Sequence, residues 1–325
     1  MSRFSDFGNA LYSGERSFDF VGRRKYGFTA SILVALAAVL ITFVGHGGFN
    51  FGIEFKGGSE FRVTTTAASA SATATTAVDS VLGAAAQVNV TTVGTDGLRI
   101  QTERLDANTA EQVRQAIAKG FKVPGNQVAS SFVGANWGSD VTSKALSGLL
   151  WFIALAAVAM ALYFRTLKMS AAALIALAHD LVITAAIYGA FGFEVTPAAV
   201  IGFLTILGYS LYDTVVVFDK IRENTLEVEH SETATFKERV NLAINQTLVR
   251  SINTSVVAVL PVAAILFIGT LLLGAGTLRD ISLSLFIGIL VGTYSTIFVA
   301  APIYSMFREK EPKYAAAAAK VLASR

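Results

Sequence analysis

Residues 145–164 have the sequence ALSGLLWFIALAAVAMALYF, a run of 20 residues without a charged side chain. An α-helix of that length is about 30 Å long, which matches the hydrocarbon core of a lipid bilayer. The whole chain has 325 residues, of which 53% are hydrophobic and 15% are charged. Soluble domains carry about 25% charged residues. The sequence therefore predicts an α-helical membrane protein that crosses the bilayer several times.

Six apolar runs are predicted to span the membrane. The first occupies residues 27–46, after a polar N-terminal tail of residues 1–26. A basic flank precedes it, as in a signal peptide, but no convincing cleavage site follows, so we expect this helix to be retained. The other five spans form a bundle over residues 144–306, at roughly 144–164, 170–192, 197–218, 250–272 and 281–305. Residues 307–325 form a second polar tail.

Two polar segments separate these runs. Residues 47–143 show strand and helix patterns in the order β-α-β-β-α-β, which predicts a small α+β domain of the ferredoxin-like type. Residues 219–249 interrupt the bundle and include apolar residues at helical spacing, which predicts an amphipathic helix at the membrane surface. Those residues are Phe236, Val240, Ala243, Ile244 and Leu248.

The basic residues of the short connections indicate how the chain is oriented. Four clusters fall on one side of the membrane if there are six spans: Arg16, Arg23, Arg24 and Lys25; Arg165 and Lys168; Lys220, Arg222, Lys237 and Arg239; Arg308, Lys310 and Lys313. Connections rich in Lys and Arg stay in the cytoplasm. We therefore expect both tails to be cytoplasmic and the domain of residues 47–143 to be extracytoplasmic.

Several kinds of site are not expected. There is no cysteine, which excludes disulfides and thiolate metal sites. The three histidines, His46, His179 and His230, fall in unrelated segments without metal-ligand spacing. No P-loop motif is present, and a net charge of +3 does not indicate a nucleic-acid partner. The sequence predicts no metal, no cofactor and no enzymatic activity.

Asp213 is the most unusual residue of the fourth span, within GYSLYDTVVV at 208–217. A carboxylate at the centre of a membrane helix costs about 2.5–3.5 kcal/mol. Tyr209 and Ser210 share its helix face, and Tyr212 and Thr214 flank it. One interpretation is an interfacial carboxylate that reaches water. The other is a group that takes up and releases a cation.

Arg250 opens the fifth span, and Asn253 and Thr254 follow on the same face. It is either an anchor at the cytoplasmic surface or the partner of Asp213, because antiparallel helices bring the two to a similar depth. His179 and Asp180 lie in the middle of the third span. They are either structural or part of a proton relay.

Five segments together resemble the SecD/SecF family of the bacterial Sec export machinery, and in particular its SecF members. They are FGIEFKGGSEF (51–61), AHD (178–180), GYSLYDTVVVFDKIREN (208–224), NQTLVRSINTS (245–255) and GILVGTYSTIFVAAP (288–302). The resemblance covers about residues 18–308. It implies a member of the resistance-nodulation-division superfamily in the bacterial inner membrane, with residues 47–143 in the periplasm.

The resemblance also implies partners and roles. A SecD-like subunit would join the chain, and the two would use a proton or sodium gradient to help export preproteins through SecYEG, with YajC as an accessory partner. Asp213 and Arg250 match the family's ion path. Tyr212 stands where relatives often have Asn, so the hydrogen bonding beside the key carboxylate differs here. His179 and Asp180 match the family's AHD segment, but the resemblance ties them less firmly to a role.

Two other functions remain open on the sequence. One is a small-molecule or lipid exporter of the same superfamily, although such exporters carry larger extramembrane domains in both halves. The other is a translocon scaffold that transports nothing. For the ion-driven function, the domain of residues 47–143 would move on hinges at its flanking glycines, which are Gly47, Gly48, Gly57, Gly58, Gly134 and Gly138.

Overall fold

The computed structural model describes residues 3–64, 70–93, 97–226, 228, 233–269 and 276–324. Within these ranges, six helices are long and apolar enough to cross a membrane. They extend over Arg24–Gly45, Trp137–Phe164, Leu167–Ala190, Pro197–Thr225, Phe236–Gly269 and Leu278–Arg308. With the sheet that follows the first of them, they confirm the predicted fold class.

The described helices are numbered here in chain order. They are α1 (Arg3–Ser13), α2 (Arg24–Leu40), α3 (Ile53–Lys56), α4 (Ala70–Leu82), α5 (Ala107–Phe121), α6 (Ala135–Phe164), α7 (Leu167–Ala190), α8 (Pro197–Thr225), α9 (Phe236–Ala264), α10 (Gly276–Ser295), α11 (Ala301–Arg308) and α12 (Pro312–Ala323). Wider π turns continue α2 over Ile41–Gly45 and α9 over Ile265–Gly269, and a third joins α10 to α11 over Thr296–Ala300.

The described strands form two sheets. They are β1 (Asn50–Phe51), β2 (Gly58–Thr64), β3 (Val88–Val93), β4 (Gly97–Thr102), β5 (Ala129–Val133) and β6 (Glu194–Val195). The larger sheet has the order β3-β4-β2-β5, and all of its neighbours are antiparallel. Its first strand lies between its third and fourth, as the ferredoxin-like prediction requires.

The α+β domain has its own core. Helices α4 and α5 cover one face of the sheet, where Phe61, Ile100, Val113 and Ile117 are fully buried. Asp106 caps α5 by accepting from the backbone nitrogens of Asn108 and Thr109, at 3.0 and 3.1 Å. A side-chain cap at its first turn and two buried apolar residues, Val113 and Ile117, therefore hold this helix in place.

The α+β domain sits on one end of the helix bundle, called here the domain end. Strand β1 pairs in parallel with β6, which lies in the connection between α7 and α8. Arg99 of β4 forms an ion pair with Glu194, and Gln101 Nε2 donates to Glu194 Oε1 at 3.1 Å. A short strand pair and buried polar contacts thus join the sheet to the bundle.

Gly138 does not act as a loose hinge, contrary to the prediction. It lies in α6, and a Cβ at this position would overlap the backbone carbonyl of Phe55 in α3. Gly47 and Gly48 differ, because both have positive φ and open space around them. Gly47 and Gly48, at the end of α2, therefore remain candidates for the predicted hinge.

Both chain tails lie at the opposite end of the bundle, called here the tail end. Arg24 pairs with Glu309 at 2.7 Å, and Lys168 pairs with Glu311 at 2.8 Å. The backbone nitrogens of Phe18 and Phe20 donate to Asn245 and Asn241 of α9, each at 2.8 Å. The basic clusters that the sequence assigned to one side are thus gathered at one end.

The segment 219–249 differs from its prediction. Helix α8 continues to Thr225, and α9 extends from Phe236 through the predicted start of the fifth span without a break. The apolar side of its first turns is the predicted one, and it packs into the protein core with α8 and α11. Helix α6 likewise begins at Ala135, before the predicted start at 144.

Candidate functional site

Polar side chains of α7, α8, α9 and α10 meet in the middle of the bundle. Asp213 of α8 is 3% exposed. Ser251 Oγ of α9 donates to its Oδ1 at 3.0 Å, and its Oδ2 has no hydrogen-bond partner among the described residues. A buried carboxylate oxygen without a donor is unfavourable when charged. The site therefore holds Asp213 with half of its hydrogen-bonding capacity unused.

A second buried carboxylate, on α7, contacts α8 one turn before Asp213. Asp180 of α7 is 1% exposed, and Ser210 Oγ of α8 donates to its Oδ2. Ser210 precedes Asp213 by three residues on the same helix face, about 4.5 Å along the axis. Ser210 thus links a carboxylate of one helix to the face that carries the other.

His179 extends this cluster. Its Nδ1 lies 3.1 Å from Asp180 Oδ1, and its Nε2 is buried without a partner among the described residues. Its ring stacks against Tyr294 of α10 with centroids 6.4 Å apart. The structure therefore brings His179, Asp180 and Asp213 into one neighbourhood, as a relay requires, while their roles stay a prediction.

Arg250 does not pair with Asp213. It is exposed, and no ion pair involves it in the part of the chain that the structure describes. Successive helix residues point about 100° apart, so Ser251 faces inward and Arg250 outward. Asn253 is exposed beside it, and Thr254 is half-buried. The prediction placed both groups at a similar depth but could not fix the side of the helix.

The remaining predicted neighbours of Asp213 take different positions. Tyr209 donates to Ser255 Oγ at 3.2 Å, and Thr214 lies 3.2 Å from Thr296 through their hydroxyl oxygens. Tyr212 is 57% exposed and points away from the site. The unusual residue next to the carboxylate therefore belongs to the outer surface of α8.

Sequence reasoning missed the hydroxyl groups that complete the cluster. Ser251 and Ser255 are one turn apart on the buried face of α9, and Ser255 Oγ lies 2.5 Å from Thr293 Oγ1 of α10. Thr184 of α7 is fully buried, with a hydroxyl that has no partner among the described residues. Two hydroxyl residues four positions apart within an apolar run, such as Ser251 and Ser255, could have predicted a polar face on this helix.

Close packing of α8 against α10 encloses the site. A Cβ on Gly288 would lie 2.5 Å from Ile206 Cγ1, and one on Gly292 would lie 3.1 Å from Ser210 Cβ. Small residues let membrane helices approach this closely. The backbone of α10 thus closes one side of the space around Asp180 and Ser210.

The arrangement suits uptake and release of a proton or a small cation. Neither carboxylate has a basic side chain in hydrogen-bond contact, apart from His179, which is charged only when protonated. Moving an unpaired charge out of water is costly, so such groups tend to be neutral. Among the described residues, no group of three or more His, Cys, Asp or Glu side chains could hold a metal ion.

Two further carboxylates meet at the junction between domain and bundle. Glu54 and Glu194 both face the space beside Gly52, and Glu54 Oε2 is buried without a partner among the described residues. Burial raises the pKa of Glu54, and the nearby Glu194 charge adds to the effect. Burial also raises the pKa of Glu194, against the opposing influence of Arg99. At this junction, burial therefore disfavours the charged form of both carboxyl groups.

Two models of known protein families match this chain. The family described as "Protein export membrane protein SecD/SecF, C-terminal" matches residues 109–310, and the "SecD/SecF GG Motif" matches residues 42–68. The chain belongs to the SecD/SecF family. The second match contains Gly57 and Gly58, at the entry to β2.

Two relatives with the same kind of sequence agree with this family membership. The chain is similar to the protein translocase subunit SecF of Streptomyces coelicolor, with 43% identity over all of this chain and 86% of the relative. The SecF of Mycobacterium tuberculosis is 42% identical over 94% of this chain and 70% of its own length. With its six apolar spanning helices, the chain is therefore a multi-pass membrane protein of a family of Sec translocase subunits.

The crystal structure of SecDF from Thermus thermophilus, described as a translocon-associated membrane protein, has a TM-score of 0.77 and 29% identity. The match covers 91% of this chain and 39% of that one. The fold described above is therefore found in an experimentally determined relative, where it makes up less than half of the chain.

Proposed function

We propose that the chain couples movement of protons, or of sodium ions, across the membrane to a late stage of preprotein export through SecYEG. The observation that carries this proposal is the buried carboxyl group of Asp213, whose Oδ2 has no partner among the described residues. Transfer of one charge across 100 mV releases about 2.3 kcal/mol. A few such transfers are enough to drive a change in the shape of the protein. In this proposal the chain is a transport subunit, and it catalyses no chemical reaction.

A SecD-like subunit is the proposed partner. Arg250, Asn253 and Tyr212 are exposed on membrane helices, and an unpaired Arg in hydrocarbon costs about 2.5–3.5 kcal/mol. A partner helix with a carboxylate would remove that cost. The Thermus SecDF chain, of which this chain matches 39%, supports such a second half. Family membership alone supports SecYEG and YajC as further partners.

The proposed location is the bacterial inner membrane. The clustering of basic residues at the tail end supports cytoplasmic tails, because positively charged connections stay inside. The α+β domain at the other end, residues 47–143, then lies in the periplasm, where exported chains emerge.

Asp213→Asn tests the proposal. The variant keeps the size of the side chain but cannot ionise, so we expect loss of proton or sodium flux in vesicles and at least a tenfold slower late stage of export. Asp219→Asn is the matched control, since Asp219 lies on α8 about 9 Å nearer the tail end, where it accepts from Tyr163 at 2.6 Å.

Normal ion flux and normal export in Asp213→Asn would contradict the ion-driven function proposed for this site. Absence of ion flux in wild-type vesicles, with export unaffected by the substitution, would leave a scaffold as the better description. Loss of ion flux together with export of dyes or lipid by the wild type, in the absence of SecYEG, would favour the small-molecule or lipid exporter.

A further inference from the structure

An apolar cavity of about 410 Å³ lies between α6, α7 and α8, beneath α3. Its walls include Phe51, Phe55, Leu146, Leu149, Leu181 and Phe203. Small-molecule sites in proteins have volumes of about 300–1,000 Å³. The space is therefore large enough for a bound molecule, and its lining requires that the molecule be apolar.

The cavity exists because α6 contacts the rest of the bundle mainly at its two ends. Gly138 packs against the backbone of α3, and Met160 and Phe164 are buried in the core at the tail end. Between these points α6 presents Leu150, which is 67% exposed, and other apolar side chains outward. A helix held at both ends and open in the middle leaves a gap toward the lipid.

The position of the cavity along the spanning helices, and its one charged lining residue, Lys56, indicate what kind of molecule binds there. Its lining residues fall in the first turns of α8 and in the part of α6 near the domain end, where spanning helices meet the lipid headgroups. Lys56 of α3 lines the cavity and is exposed. It forms no ion pair in the described part of the chain. A cation above an apolar cavity matches a phosphate above an acyl chain.

We propose that this cavity binds one anionic phospholipid, with an acyl chain between α6 and α8 and its phosphate at Lys56. The inference is independent of the ion-coupled function, and the lipid is a resident ligand, not a transported one. Because α3 directly precedes β2, the lipid also supports the position of the α+β domain on the bundle.

Fluorescence quenching by brominated lipids tests the proposal in the full chain. The native tryptophans are first replaced, as Trp137→Phe and Trp151→Phe, and Phe203→Trp then places a reporter in the cavity wall. In vesicles, brominated phosphatidylglycerol should quench this reporter at least twofold more effectively than brominated phosphatidylcholine. Lys56→Gln should abolish the difference. Lys144→Gln is the matched control, because Lys144 is exposed on α6 and does not line the cavity.

A second reporter distinguishes specific binding from general contact with lipid. Leu155→Trp lies on the exposed face of α6, away from the cavity, and both lipids should quench it equally. Equal quenching of the Phe203→Trp reporter by both lipids would overturn the proposal. So would its complete protection beside a quenched Leu155→Trp reporter, since a protein segment would then fill the space.

Discussion

Ser210 and Ser251 are the residues that donate to the two buried carboxylates. Each hydroxyl supplies one hydrogen bond, to Asp180 and to Asp213 respectively. A serine hydroxyl can also accept a proton, so it can serve a carboxyl group in either protonation state. A permanent basic partner would hold a carboxylate charged. Hydroxyl partners therefore fit groups that gain and lose a proton.

Ser251→Ala should destabilise the protein by about 1–3 kcal/mol, because it removes the hydrogen bond donated to Oδ1 of the buried Asp213. The thermal unfolding midpoint in detergent measures the loss. Ser295→Ala is the matched control, since Ser295 is equally buried but donates to a backbone carbonyl, that of Gly292. A loss no greater than that of the control would contradict the role given to Ser251.

Helices α8 and α10 form the most closely packed pair of elements around the site. Gly288 and Gly292 of α10 contact Ile206 and Ser210 of α8 at successive turns. Contact without intervening side chains means that a shift of one helix displaces the other, since packed interiors resist compression. Protonation at Asp180 or Asp213 is therefore expected to move α8 and α10 together.

Gly288→Ala should separate these helices. The added Cβ would lie 2.5 Å from Ile206 Cγ1 and 2.9 Å from Ile206 Cβ, so one helix has to move. Overpacking of this kind costs about 1–3 kcal/mol, which would lower the thermal unfolding midpoint. Gly208→Ala, where nothing lies within 4 Å, should leave the midpoint unchanged or raise it. Equal effects of the two substitutions would show that the contact is unimportant.

The whole molecule has two ends that are held differently. At the tail end, ion pairs such as Arg24 with Glu309 tie the two tails together. At the domain end, the α+β domain rests on a short strand pair and on a polar cluster. In this cluster Arg99 pairs with Glu194, Gln101 donates to Glu60 and to Glu194, and Glu54 lies beside Glu194. Asp280 of α10 lies next to this cluster through its bond to Thr196. The domain end is therefore where burial raises the pKa of carboxyl groups, those of Glu54 and Glu194.

Docking of the domain should weaken as the pH rises. The pKa values of Glu54 and Glu194 lie above the ordinary value of 4.5 in the docked state. The docked state therefore binds more protons than a separated one. This proton binding stabilises the docked state fully when the pH is below the ordinary pKa of 4.5. The stabilisation is lost as the pH rises through the raised pKa values of the docked state. Spin labels at Asn126→Cys and Phe191→Cys should show a narrow distance distribution at pH 5 and a broader one at pH 8.

Glu54→Gln should reduce the broadening at pH 8, because it removes one of the two ionisable groups and leaves only Glu194 to lose a proton. The Oε2 atom of Glu54 is buried without a partner among the described residues. Glu103→Gln is the control, since Glu103 is exposed and outside the cluster. A distribution that does not change with pH in the wild type would refute this account of the junction.

The sequence by itself determined the six spans, the βαββαβ order of the domain and the position of each ionisable group along its helix. Hydropathy, caps and apolar spacing are local properties, so they can be recognised without the fold. The side that each group faces was decided only by the tertiary structure. When a spanning helix is apolar on every side, its hydropathy pattern does not show which side faces the rest of the protein. Packing of α8 against α7, α9 and α10 turned Ser251 inward and Arg250 outward, and it joined Asp180 to Ser210.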